Sequence, residues 1–154
     1  MAWYGLNGLP FRAAHGMVGA GFFQGSETMP VNGLGPYDDS NIFARILRGE
    51  IPAKKVHEDD HALAFHDIAP QAPVHVLVIP KGCYVSIADF SASATPHEIT
   101  GFWRAVGQVA KALGLEADGY RVLMNMGMHA GQEVPHFHVH ICAGRPLGRM
   151  IPQA

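Results

Sequence analysis

Hydrophobic and polar residues alternate most strictly at His136-Phe137-His138-Val139-His140-Ile141. On a β-strand successive side chains point to opposite faces, so the three imidazoles share one face and Phe137, Val139 and Ile141 take the other. A helix does not bring residues two apart onto one face. The apolar set can be anchored in a core while the imidazoles line a cleft. Upstream, Asp38-Asp39-Ser40 offers N-cap residues to Ile42, Phe43, Ile46 and Leu47, which follow at helical spacing until Gly49, and Pro52 ends this short helix. Lys54 to Glu58 and Ala62 to Asp67 read as two strands turned at Asp59-Asp60. Pro70 and Pro73 bound a loop before a strongly apolar strand, Val74 to Ile79, closed by Pro80-Lys81-Gly82. Serines, Thr95 and Pro96 lead into a helix from about His97 to Leu113, with Ile99, Phe102, Trp103, Val106, Val109, Ala110 and Leu113 on one face and Gly114 as C-cap. Gly119 to Asn125 is a fourth strand, Met126 to Pro135 a glycine-bearing loop, and the histidine strand the fifth. Mostly hairpin-linked strands with one long helix before the last pair predict an α+β fold with an antiparallel sheet.

Residues 1–36 differ. They hold 8 of the 18 glycines and only two charged residues, Arg12 and Glu27, and no period persists in them. Met17 to Phe23 resembles a signal-peptide core in outline, but it is short, broken by glycine and weakly basic in front. The segment is read instead as a poorly ordered extension upstream of a start at Met29, with the folded domain over 37–154. At 154 residues, 48% hydrophobic and 16% charged, the chain has the composition of one globular domain. A net charge of −2 gives no electrostatic case for a nucleic-acid partner. The longest apolar run, Val74 to Ile79, is too short to cross a bilayer, so no membrane association is expected. Two cysteines, Cys83 and Cys142, make no disulfide framework and suit a reducing compartment, which predicts a cytoplasmic location.

Ten histidines is the unusual count. Three of them on one strand face have three readings. They can be a solvated polar face; they can ligate zinc, iron or copper, with Glu133 and His75 as further ligands; or one can attack phosphorus while its neighbours move protons and hold a phosphate. The preceding loop, Asn125-Met126-Gly127-Met128-His129-Ala130-Gly131-Gln132, has an amide at each end and two glycines. Its backbone N–H groups and amides suit an anion, whereas Asn and Gln are indifferent zinc ligands. Local chemistry therefore favours phosphoryl transfer over a metal.

Three stretches resemble the histidine triad (HIT) nucleotide-binding family: Ala64-Phe65-His66-Asp67-Ile68-Ala69-Pro70-Gln71-Ala72-Pro73-Val74-His75 with Val78-Ile79-Pro80-Lys81; Gly131-Gln132-Glu133-Val134-Pro135 followed by the alternating histidines; and Asn41-Ile42-Phe43-Ala44 with Gly49-Glu50-Ile51-Pro52. The likeness runs from about Asp39 to Arg145 and is closest to the Hint branch. It implies a five-stranded antiparallel sheet with one long and one short helix, joined to a second sheet across a homodimer. It also implies hydrolysis of purine nucleoside phosphoramidates or related nucleoside monophosphate conjugates through a nucleotidyl-histidine, with no cofactor and no catalytic metal. His138 matches the nucleophile. His136 and His140 match its flanking residues, and His75 the fourth histidine that orients them. Asn125 and Gln132 match phosphate-side contacts, Asp67 the acid that binds the ribose hydroxyls, and Ile42, Phe43, Ile46, Phe65 and Ile68 the base pocket.

This chain departs from relatives in three places. Glu133 stands where a serine is frequent. Asn41 and Ala44 occupy the places of a zinc-binding cysteine pair, so no structural zinc is expected. The tryptophan some relatives carry near the C-terminus is missing after Arg145. A nucleotide-binding regulatory or scaffold protein with negligible turnover, a dinucleoside polyphosphate hydrolase and a histidine-metal enzyme are the alternatives.

Overall fold

The computed structural model describes residues 31–151. The signal-like segment and the start at Met29 lie outside the described residues. Five strands, β1 (Lys55–Glu58), β2 (Ala62–His66), β3 (Val74–Pro80), β4 (Arg121–Leu123) and β5 (Val139–Ala143), form one sheet in the order β1-β2-β3-β5-β4. Every neighbouring pair is antiparallel. The β1–β2 turn is held by Asp59, whose Oδ1 accepts from the backbone N–H of His61 and of Ala62, both at 2.8 Å; a short side-chain acceptor suits such a turn.

Period-two alternation gives the sheet two different faces. Ala62, Ala64, Val76, Val78, Val139 and Ile141 pack with Phe102, Ala105, Val106 and Val109 of the long helix α3 (Pro96–Ala112). Leu63, Phe65, Leu77 and Ile79 face the other way and pack with Phe43 and Ile46 of α1 (Ile42–Leu47). His75 and His140, of odd and even number on adjacent strands, fall by the same alternation on the α1 face. The site is therefore fixed to the sheet opposite the long helix.

α3 starts at Thr95, in a capping box. Glu98 N–H donates to Thr95 Oγ1 at 3.2 Å, and Glu98 Oε2 accepts from the Thr95 N–H at 2.8 Å. It stops at Gly114, whose φ of 69° is a left-handed conformation that glycine adopts without strain. Asn41 caps α1, its Oδ1 accepting from Phe43 and Ala44 N–H at 3.0 Å, so the cap falls just after the Asp38-Asp39-Ser40 expected from sequence.

Two short helices add to the one long and one short helix expected. α2 (Ile87–Ser93) buries only Phe90 and so carries no apolar period to read; its start is tied by Asp89, whose carboxylate accepts from Val85 N–H at 2.9 Å. α4 (Gly127–Ala130) is a single turn inside the glycine loop. The histidine strand also begins later than its alternation suggests. The ladder with β4 is paired through Leu123↔His140 and that with β3 through Val78↔Val139. His136 to His138 lie before this ladder, where Phe137 N–H donates to the Tyr84 carbonyl at 2.6 Å. Among the described residues no helix is long and apolar enough to cross a membrane.

Candidate active site

The four histidines meet on the α1 face, and their hydrogen-bond partners determine where each proton sits. A carbonyl only accepts and a backbone N–H only donates, so each such partner fixes a tautomer. His138 Nδ1 lies 2.7 Å from the carbonyl of His136 and must donate, which leaves the lone pair on Nε2. The N–H of Gln71 donates to His75 Nδ1 at 3.2 Å, so the His75 proton is on Nε2. That N–H donates to His140 Nδ1 at 2.9 Å, which places the His140 proton on its own Nε2. The His140 Nε2 is buried and has no hydrogen-bond partner among the described residues. The rings of His138 and His140 are 5.1 Å apart between centroids. A nucleophilic lone pair thus stands beside a free N–H donor, each set by backbone groups two steps away at most.

His136 is different. It is fully buried, its Nε2 donates to the Pro80 carbonyl at 3.0 Å, and its Nδ1 lies 2.5 Å from the hydroxyl of Tyr37. Both nitrogens are engaged within the protein. Sequence reading missed Tyr37, which is 99 positions from its partner and sits in no motif.

Burial governs the charge of these rings. It pushes His136 and His140 down to about 4, and the neighbouring imidazoles push in the same direction. His138 is also lowered, first by burial; the His136 carbonyl and the charges of Asp67 and Glu133 act the other way. All three are neutral at pH 7. A neutral imidazole is what a nucleophile on phosphorus requires.

Phe43 stands edge-on to His138 at 5.2 Å and to Phe65 at 5.6 Å, with Phe65 and Ile46 buried behind it. Ile42 and Ile68, expected in the same apolar wall, are 43% and 97% exposed; Ile42 is the first residue of α1 and Ile68 lies in the loop after β2. Asp67 Oδ1 accepts from Ala69 N–H at 2.8 Å, and its Oδ2 is 3.6 Å from His75 Nε2. Asn125 follows β4, two residues after Leu123, which pairs with His140. Gln132, expected against a phosphate, is 1% exposed and turned into the protein. Its Nε2 donates to the carbonyls of Val85 and Val134 at 2.7 and 3.0 Å, and its Oε1 accepts from Gly127 N–H at 3.0 Å. It braces the loop from behind.

Asp67, His75 and His140 bring potential metal-ligand atoms within 4.8 Å of one another. The two ring nitrogens in this group already point at each other and share a proton, so a cation there must first replace a hydrogen bond.

The HIT domain profile matches residues 48–147. An uncharacterized HIT-like protein of Azospirillum brasilense is 65% identical over 115 residues, covering 75% of this chain and 94% of that one. The purine nucleoside phosphoramidase of Escherichia coli K12 is 43% identical over 115 residues, 73% of this chain and 94% of the enzyme. Among solved structures, a HIT family hydrolase from Clostridium thermocellum superposes with a TM-score of 0.68 at 34% identity, over 75% of this chain and 99% of its own. A histidine triad protein from Clostridium difficile gives a TM-score of 0.64 at 42% identity, over 71% and 95%. Sheet order, the alternating histidines and these matches agree, and the chain belongs to the histidine triad family.

Proposed function

We propose that this chain hydrolyses purine nucleoside phosphoramidates, or related nucleoside monophosphate conjugates, through a nucleotidyl group carried on His138. The observation that supports this most directly is the unprotonated Nε2 of His138 next to the free Nε2–H of His140. In the first half-reaction the bond from His138 Nε2 to the α-phosphorus forms. The bond to the leaving nitrogen breaks with its electron pair, and that nitrogen takes a proton through His140, which is resupplied from solvent and stays neutral. In the second, water attacks phosphorus, the phosphorus–Nε2 bond breaks, and the water's proton leaves through His140 to solvent. The sum consumes one water and releases an amine and a nucleoside monophosphate. The imidazolium formed in between keeps its Nδ1–H on the His136 carbonyl, a bond that strengthens as the ring gains charge.

The remaining roles follow the family pattern. Asp67 takes the ribose hydroxyls, Asn125 the phosphate side, and Phe43, Phe65, Ile46, Ile42 and Ile68 the purine. The working form is a cytoplasmic homodimer with its two sheets joined edge to edge. The outer edge of β4, with Val122 partly exposed, is where such a joint fits.

His138→Ala tests this reading. It is expected to abolish cleavage of a fluorogenic adenosine phosphoramidate while AMP still binds, and a chelator is expected to leave wild-type turnover unchanged. Undiminished cleavage by the variant rules the mechanism out. AMP binding by a wild type that turns over no phosphoramidate replaces the hydrolase with a nucleotide-binding module.

A further inference from the structure

The chain ahead of α1 precedes the 48–147 span of the HIT domain match, yet it is fastened to the site at three points. Val31 N–H donates to the Gln132 carbonyl at 2.8 Å. Gly33 is buried with φ at +78°, and a Cβ there would sit 2.9 Å from Gly127 N and 3.1 Å from Gln132 Oε1. Both the conformation and the space exclude a side chain at this position. Tyr37 then reaches His136, hydroxyl to Nδ1, with the two rings edge to face at 5.5 Å between centroids.

His136 has nothing left to offer a substrate through its ring. Its Nε2–H is taken by Pro80, which makes Nδ1 an acceptor and the Tyr37 hydroxyl the donor. What it offers the reaction is its backbone carbonyl, which holds the Nδ1–H of His138. A ring bonded at both nitrogens cannot turn about its side-chain torsions, and the peptide that carries it is held with it. We propose that Tyr37 is a positioning residue for the triad: its hydroxyl, delivered by the strap from Val31 to Tyr37, clamps His136 so that this residue supports His138 and exchanges no proton with substrate. The catalytic unit thereby extends back to Val31. The catalytic consequence rests on the hydrolase reading above; the clamp itself does not.

The test uses the full chain, with imidazole nitrogen NMR on the resting protein beside steady-state kinetics on the adenosine phosphoramidate. In the wild type, His136 is expected to show a protonated Nε2 and a hydrogen-bonded, unprotonated Nδ1; the opposite tautomer overturns the proposal without any variant. In Tyr37→Phe, which keeps the ring and loses the hydroxyl, the Nδ1 signal is expected to move to that of an unbonded acceptor. The kcat is then expected to fall about three- to tenfold, the weight of one hydrogen bond, with KM within about twofold. Gly33→Val, which unseats the strap without touching either ring, is expected to shift the same signal and lower kcat in the same direction. His136 signals that do not move in Tyr37→Phe, or that move with kcat unchanged, overturn the proposal, and wild-type signals and kcat in Gly33→Val overturn the strap's part in it. A wild type without turnover overturns the hydrolase reading alone, because the His136 signals still decide the clamp.

Discussion

His75 Nε2 donates to His140 Nδ1 across 2.9 Å, with the two rings nearly parallel at 27° and 5.2 Å between centroids. The strand register produces this contact: His75 lies opposite Cys142 and His140 opposite Leu77, so the two imidazoles are diagonal neighbours on one face. His75 is in turn oriented by the N–H of Gln71 in the loop before it. The free donor on His140 is thus a consequence of where the β2–β3 loop places one backbone amide.

Removing His75 releases the His140 tautomer. With Nδ1 unbonded, the proton of His140 divides between its two nitrogens and the Nε2–H donor is lost in part of the molecules. His75→Ala is expected to lower kcat about tenfold, the effect of roughly one hydrogen bond's worth of orientation, with little change in KM. His75→Asn, which can still donate, is expected to recover part of it. Steady-state kinetics of both variants checks this, and a rise in KM at constant kcat assigns His75 to binding instead.

The pH dependence of kcat/KM follows from burial. His138 must be neutral to attack, and its burial holds it below the ordinary histidine value of 6.5. The acid limb of kcat/KM is therefore expected below pH 6.5, with a flat profile from there to pH 8. A limb at or above 6.5, measured on the phosphoramidate, contradicts the assignment of His138 as a buried neutral nucleophile.

Much of this site was legible because it depends on a period of two. Phe137, Val139 and Ile141 enter the core as their alternation requires, and His140 and His138 emerge on the opposite face. Thr95, Pro96 and Gly114 mark α3 because caps are local chemistry. What could not be read depends on partners far away in the chain. Gln132 has the residue type of an anion contact, and only the packing of Val85, Val134 and Gly127 around it turns its amide inward. Tyr37 meets His136 from 99 positions away, from the first residue of the expected domain, where no motif or period stands. α2 escapes because one buried phenylalanine makes no period.

Stability is expected to fall in mild acid. His136 and His140 titrate near 4 in the folded chain but near 6.5 once unfolded, so below 6.5 the unfolded state binds more protons than the folded one. Stability present above pH 6.5 is lost progressively as pH falls toward 4, by on the order of a few kcal/mol per ring. The depressed carboxylates, such as Glu50 and Glu98, weaken only at lower pH, below their ordinary value of 4.5. Urea unfolding at pH 7.5 and at pH 5.5 isolates the histidines, and equal midpoints at the two pH values contradict their burial as neutral groups.

Gln132 gives the sharpest separation between a brace and a substrate contact. Its side chain satisfies the Val134 carbonyl and the Gly127 N–H of the loop that carries α4, and the Val85 carbonyl ahead of α2, and it is almost wholly buried. Gln132→Leu keeps the volume but leaves Val85 O, Val134 O and Gly127 N–H without their partner. Each unmet buried group costs about 1–3 kcal/mol, so the variant is expected to lose about 3 kcal/mol or more of stability. A urea midpoint lowered at constant m-value measures it. A Gln132→Leu chain of wild-type stability that binds AMP more weakly returns this residue to the phosphate, because only a direct contact lowers affinity without loosening the loop.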